Sequence, residues 1–394
     1  MDKEIKKKLK RIIINAHKHS PFYREKYKDV KLCYSAVPIL HKMEIREAEE
    51  KNEIGEEFEN AIISYTSGST GIPLKVQWNP KDYQMSNFEL WYYRKKWYDI
   101  SPQDKYVTFF SYNTNDLKFV NRDYYIENNQ ILYLRRCNYN EEQLEKYMQI
   151  IKAFSPRWIQ IPGSLFWVLF EYIRKTNQKI EELAYLELNG EYVSNIEFVK
   201  IVNFCKKREI KVANLYGAVE VNGIALTCPE HRFHILKNNV YLDINKEMDS
   251  EELIVTSLYN THFPIIKYAL GDFGKIIHNK KCKCGLCADL LELNYGRGGE
   301  LIQLKYGDRI DERMFFNIIM QAERRFGDIY RYHVTNNGEK VSIYIYTSGR
   351  NNAEIKRFFD NNVYTCINCD IQVSVTIKSI SESISERKPY NNEG

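Results

Sequence analysis

The sequence predicts an α/β fold: a large N-terminal domain with mainly parallel sheets over residues 1–296, then a small α+β domain over residues 297–394. Three observations predict it. Strand-like and helix-like runs alternate in series, as they do where helices cover a mainly parallel sheet. A short apolar strand opens into a loop rich in glycine and hydroxyl groups before residue 75. Beyond residue 300 the elements shorten and follow the order helix, strand, helix, strand. At 394 residues the chain exceeds one average domain and has ample length for a sizeable core.

Lys3 to Ile14 is basic with apolar residues at helical spacing, which fits a solvated helix or a membrane-surface helix; its composition favours the first. Ala61-Ile62-Ile63 reads as a strand, and Tyr106–Phe110 and Gln130–Leu134 as β-rich runs. Glu142–Ala153 has the spacing of an amphipathic helix, Trp158–Ile161 reads as a strand, and Leu165–Phe170 begins an apolar helix. Ile196–Arg208 is helical in spacing. Lys211–Leu215 is a strand that delivers Tyr216 and Glu220 at its carboxyl end, where open α/β sheets place their sites. In the small domain Arg313–Phe326 and Asn352–Phe359 read as helices, and Lys340–Tyr346 and Ile371–Ile377 alternate as strands.

The net charge of +5 is small and mixed with 52 acidic residues, which argues against a nucleic-acid partner. The basic N-terminus lacks the apolar core and cleavage site of a secretory signal, and no apolar run approaches the ~20 residues of a membrane span. A cytoplasmic protein without stable membrane insertion is expected. The nine cysteines are then reduced thiols or metal ligands rather than disulfides.

The stretch Tyr65-Thr66-Ser67-Gly68-Ser69-Thr70-Gly71-Ile72-Pro73-Leu74-Lys75 carries the most chemistry. Its glycines let the backbone turn and expose N–H groups, its hydroxyls add donors, and Lys75 adds charge, a combination suited to phosphate oxygens. An ordinary Ser/Gly turn is the plain alternative. The Gly-Lys-Ser/Thr ending of a Walker loop is absent. The stretch resembles the phosphate loop of the adenylate-forming superfamily, the acyl-CoA synthetases and their relatives. Leu215-Tyr216-Gly217-Ala218-Val219-Glu220 is similar to its Tyr-Gly-x-Thr-Glu element, Ile266-Lys267-Tyr268-Ala269-Leu270-Gly271-Asp272 to its Arg-Tyr-x-Thr-Gly-Asp element, and Gly296-Arg297-Gly298-Gly299-Glu300 to its hinge. Within the superfamily the chain resembles the phenylacetate-CoA ligase and capsule-biosynthesis group. His19-Ser20-Pro21-Phe22-Tyr23-Arg24, Ile161-Pro162-Gly163-Ser164 and Gly190-Glu191 carry that likeness.

The resemblance implies an ATP-dependent ligase that forms an acyl- or aryl-adenylate and passes it to a thiol, CoA or a carrier protein's. Ser67, Gly68, Ser69, Thr70, Gly71 and Lys75 would hold the β- and γ-phosphates. Tyr216, Gly217 and Ala218 would line the nucleotide, with Tyr216 stacked on adenine and Gly190 and Glu191 approaching it. Glu220 would ligate magnesium, Asp272 would bind the ribose hydroxyls, and Arg297 would touch the ribose or phosphate edge. Glu300 would mark the hinge of a C-terminal lid. The lid's catalytic lysine falls on Lys388, for which a frayed basic tail is an equal rival.

Cys228-Pro229-Glu230-His231-Arg232-Phe233-His234 and Cys282-Lys283-Cys284-Gly285-Leu286-Cys287 can together close a tetrahedral zinc site. Similar stretches in the phenylacetate-CoA ligase group imply Cys228, His234, Cys282 and Cys284 as ligands, with His231 and Cys287 as substitutes. Such a metal would be structural. Cys33, Cys137, Cys205, Cys366 and Cys369 read as packing residues.

The chain departs from the superfamily at Val219, Lys267, Leu270 and Gly299. Each lost hydroxyl contact costs ~1 to 3 kcal/mol, which slows adenylation without abolishing nucleotide binding. Two other outcomes stay open: delivery of the adenylate to an amine or hydroxyl, and a degenerate nucleotide-binding member. The substrate is a small carboxylic acid whose identity is not legible. The sequence is compatible with a homodimer.

Overall fold

The computed structural model describes residues 3–55, 59–66, 74–110, 123–135, 140–193, 195–245, 251–295, 301–303, 309–311, 313–336, 340–366 and 372–379. Ser67, Gly68, Ser69, Thr70, Gly71, Arg297, Gly299, Glu300 and Lys388 lie outside the described residues. The chain clusters into two compact units, each made of two segments: residues 1–102 with 213–298, and residues 103–212 with 299–394.

In the first unit, the helix Lys3–His19 buries Leu9, Ile12, Ile13 and Ala16. Lys3, Lys6, Lys7, Lys10 and Lys18 face water while its apolar stripe enters a core with Tyr23, Trp78 and Val255, so the stripe is already used in packing. The strands Ile62–Tyr65 and Lys75–Trp78 form an antiparallel hairpin with Tyr65 opposite Lys75. Thr66 closes its mouth: the Thr66 N–H donates to the Leu74 carbonyl at 3.0 Å, and the Leu74 N–H donates to Thr66 Oγ1 at 2.9 Å. This unit's sheet runs in the order Val240–Ile244, Glu252–Ser257, Tyr268–Lys281, Cys287–Tyr295, Phe233–Ile235, Asn222–Thr227 and Lys211–Ala218, paired antiparallel throughout.

The second unit holds the parallel sheet. Tyr185–Leu188, Trp158–Ile161, Tyr106–Phe110 and Ile131–Arg135 pair parallel in that order, and Tyr124–Glu127 adds an antiparallel edge. Tyr185–Leu188 is buried at every position, as expected of a strand covered on both faces. The helices Glu141–Phe154, Gly163–Thr176 and Asn195–Lys206 contribute Leu144, Phe166, Phe170 and Ile201 to the core that Val107, Ile159 and Leu186 enter from the sheet. A second layer in this unit is α+β: Ile329–Asn336 pairs antiparallel with Lys340–Thr347, which pairs parallel with Gln372–Ser379, under the helices Arg313–Phe326 and Asn352–Cys366. Trp167 meets Tyr330 edge-on with centroids 4.6 Å apart, and Lys200 Nζ lies 2.9 Å from Glu323. Burial raises the Glu323 carboxyl, and the Lys200 ammonium opposes that shift.

Candidate active site

The strand Lys211–Ala218 turns directly into Asn222–Thr227, and the tight turn carries Glu220. Pairing slips between Tyr216 and Gly217. Gly217 has no room for a side chain, since a Cβ there would sit 2.6 Å from the Asn222 carbonyl oxygen. Gly217→Ala is expected to lower stability by ~1 to 3 kcal/mol, read as a reduced urea midpoint, because the hairpin must open to admit the methyl.

Asp272 stands in a second irregularity. Between the pairs Ile254 with Ala269 and Glu252 with Phe273 the ladder slips, and Gly271 adopts φ +74. Such a bulge re-aims a side chain that a regular strand would point elsewhere. Here it brings Asp272 Oδ2 within 2.8 Å of the Tyr216 hydroxyl, which donates to it. The two strands have three others between them in the sheet. In a flat sheet they would be roughly 19 Å apart, so the sheet curls to join them. Tyr268, buried at the start of the same strand, donates its hydroxyl to Glu220 Oε1 at 3.0 Å. Glu220 is itself only 6% exposed. Four side chains from two distant motifs thus form two hydrogen-bonded pairs, each an aromatic hydroxyl orienting a carboxylate.

Lys75 opens the second strand of the hairpin and is half-buried. Gly190 and Glu191 belong to the second unit. Gly190 takes φ +72, and Glu191 Oε2 accepts the Ser164 N–H at 3.1 Å, near the start of the helix Gly163–Thr176. The structure therefore gives Glu191 a capping role at a helix N-terminus whose N-cap, Pro162, makes no side-chain bond.

The ligand atoms of Cys228, His234, Cys282 and Cys284 lie within 4.8 Å of one another. Cys228 and Cys282 Sγ are 3.8 Å apart, and Cys284 Sγ is 3.5 Å from His234 Nε2. A zinc tetrahedron with ordinary Zn–S and Zn–N bonds has edges of about 3.6 to 3.8 Å, so the donor set fits such an ion. Two tight turns present the ligands: the His231 N–H bonds the Cys228 carbonyl at 2.8 Å, and the Gly285 N–H bonds the Cys282 carbonyl at 3.0 Å. Burial, with the Arg232 charge adding to it, pulls the His234 imidazole down to about 4, which leaves it neutral near pH 7. Its ring lies 5.1 Å from that of Trp97, in the π-helical turn Arg94–Tyr98. His231 is exposed and outside the group, and Cys287 Sγ bonds the Asn279 carbonyl instead.

No protein-family model and no curated protein sequence matches the chain. Solved structures do. The chain is similar to 2-hydroxyisobutyryl-CoA ligase in its postadenylation state with 2-HIB-AMP: TM-score 0.69, 14% identity, covering 96% of this chain and 86% of that one. Against the same enzyme with 2-HIB-AMP and CoA in the thioesterification state, the TM-score is 0.60 at 16% identity, over 100% of this chain and 88% of that one. The chain has the adenylate-forming ligase fold.

Within this fold three of the departures, Val219, Leu270 and Lys267, have a packing explanation. Val219 and Leu270 pack as partly buried apolar groups against the first unit's core. Lys267 turns to the N-terminal segment, where its Nζ donates to the Val37 carbonyl at 2.9 Å. Tyr268 was within a recognised motif but had no role; its partner is 48 residues away, and nothing local announces the contact. Tyr268→Phe is expected to lower stability by ~1 to 3 kcal/mol, read as a reduced urea midpoint, because the buried Glu220 carboxylate loses a hydrogen-bond donor while the ring stays packed.

Proposed function

We propose that the chain is an ATP-dependent, AMP-forming ligase of the phenylacetate-CoA ligase kind, activating a small carboxylic acid as its adenylate and passing it to a thiol such as CoA. The observation that carries this reading is the double pairing of Tyr216 with Asp272 and of Tyr268 with Glu220. A carboxylate attacks the α-phosphorus of ATP and pyrophosphate leaves; a thiol sulfur then attacks the acyl carbon and AMP leaves. Both reactants of the first step are anions, so the site must supply oriented donors and positive charge.

In this reading Tyr216 stacks on adenine while its hydroxyl holds Asp272 toward the ribose hydroxyls. Lys75, Ser67, Gly68, Ser69, Thr70 and Gly71 hold the outer phosphates. Glu220 holds a magnesium ion, whose charge offsets that of the phosphates. Residues 297–394 act as the lid, with Arg297 at the ribose and Lys388 at the α-phosphate. Cys228, His234, Cys282 and Cys284 hold a structural zinc ion; four protein ligands leave no open position for catalysis.

Incubation with ATP, magnesium, CoA and a panel of aromatic, fatty and amino acids tests the assignment. AMP and an acyl-CoA should appear together for at least one acid. AMP and pyrophosphate without thioester would move the acceptor to an amine or hydroxyl, and neither product from zinc-loaded, folded protein would leave only nucleotide binding.

A further inference from the structure

Thr108, Gln160 and Glu187 form a polar row across the parallel sheet. The register sets Thr108 opposite Gln160 and Gln160 opposite Glu187, so three neighbouring strands put polar side chains on one face. The residues that follow them, Phe109, Ile161 and Leu188, turn the other way into the apolar core. Buried parallel strands are ordinarily apolar throughout, and a polar row inside one is costly unless its groups are bonded. These groups are bonded with a defined polarity. Glu187 is 0% exposed and accepts from Gln160 Nε2 at 2.9 Å and from the Tyr185 hydroxyl at 2.9 Å. The Thr108 hydroxyl donates to Gln160 Oε1 at 3.3 Å.

That polarity decides what the row offers. A carboxylate only accepts, so the Gln160 amide nitrogen must face Glu187 and its carbonyl must face Thr108. The single Thr108 hydroxyl hydrogen is directed at that carbonyl. The half-buried end of the row, Thr108 and Gln160, therefore offers oxygen lone pairs at Thr108 Oγ1 and Gln160 Oε1, beside the second amide hydrogen of Gln160. It lies near the carboxyl ends of parallel strands, where α/β sheets take ligands, and two of the row's strands lead on into Pro162-Gly163-Ser164 and Gly190-Glu191, segments that carry the likeness to acid-activating ligases.

We infer that the acid activated by this chain carries a hydrogen-bond donor, a hydroxyl or amino group, accepted by Gln160 Oε1 and Thr108 Oγ1. Glu187 is the positioning residue that fixes the direction of the Gln160 amide. The inference rests on the proposed acid activation and adds the substrate class.

Matched acids test it: benzoate against 4-hydroxybenzoate, 4-aminobenzoate and 4-methoxybenzoate, and octanoate against 3-hydroxyoctanoate. Each is followed by ATP–pyrophosphate exchange and by thermal-shift titration. The donor-bearing member of a pair should be preferred about tenfold or more in kcat/KM, and Gln160→Leu should collapse that ratio through KM. Glu187→Gln, which lets the amide turn either way, should admit the methoxy acid that the unaltered protein rejects. Thr108→Val reads the same ratio if Gln160→Leu does not fold. Equal use within every pair, or a preference untouched by these variants, overturns the inference while the ligase reading stands. Absence of exchange with every acid overturns the ligase reading instead. The titration then decides the inference: a larger, Gln160-dependent shift with the donor-bearing acid supports it, and equal shifts overturn it.

Discussion

Chelation of the zinc ion proposed for the Cys228, His234, Cys282 and Cys284 group is expected to lower the melting temperature by about 10 °C and to release about one zinc per chain. The size follows from how the ligands are held. In isolated zinc fingers the ion contributes ~10 to 16 kcal/mol because it is most of the core. Here the two ligand turns are already tied by sheet ladders, with Phe233 paired to Leu291 and Lys281 to Cys287. Only part of that energy, ~3 to 5 kcal/mol, should reach global stability, at ~2 to 4 °C for each kcal/mol in a unit of this size. Cys228→Ala should reproduce the loss, since it removes a buried ligand, whereas Cys287→Ala should not. Trp97 fluorescence should change with metal occupancy because its ring lies against His234. A metal-free protein of unchanged melting temperature would remove the zinc assignment.

Glu220→Gln is expected to lower acid activation at least a hundredfold with little change in melting temperature. The substitution keeps the shape and the bond from Tyr268 but removes the charge that would hold magnesium. Asp272→Ala should raise KM for ATP more than it lowers kcat, because the part proposed for it is to bind ribose and not the reacting phosphate. It also removes the carboxylate that accepts from the Tyr216 hydroxyl, so Tyr216→Phe should show a smaller change in the same direction. Equal turnover of Glu220→Gln and the unaltered protein would refute the magnesium role.

Much of the fold was legible where local pattern and burial agree. Tyr106–Phe110, Trp158–Ile161 and Arg313–Phe326 appear with the bounds that periodicity suggested, and Glu142–Ala153 lies within the helix Glu141–Phe154. The strands among these either alternate or run apolar beside clear turn residues, and the helices repeat at helical spacing. The antiparallel strands of the first unit were harder to read. Glu252–Ser257 is buried at every position, a run that periodicity alone cannot assign to strand or helix. The interleaving of segments 1–102 with 213–298 was not legible at all, because it depends on long-range pairing and not on composition.

The site shows the same division. The motifs marked Tyr216, Glu220 and Asp272, but the bulge that joins Asp272 to Tyr216 and the hydroxyl that Tyr268 lends Glu220 are tertiary facts. Glu191 was read as a nucleotide neighbour; its bond to the Ser164 N–H adds a structural duty that the Gly-Glu pair alone does not reveal. Gln160 stands alone among apolar neighbours in Trp158–Ile161, Tyr185–Leu188 carries no strand signal that the sequence analysis used, and only the register across three strands lines Gln160 up with Glu187.

The most direct measurement is acid-dependent incorporation of labelled pyrophosphate into ATP, with no acceptor present. The account predicts exchange that requires both an acid and magnesium and that falls at least a hundredfold in Glu220→Gln. Folded, metal-loaded protein that catalyses no exchange across aromatic, fatty and amino acids, with and without donor groups, would contradict it.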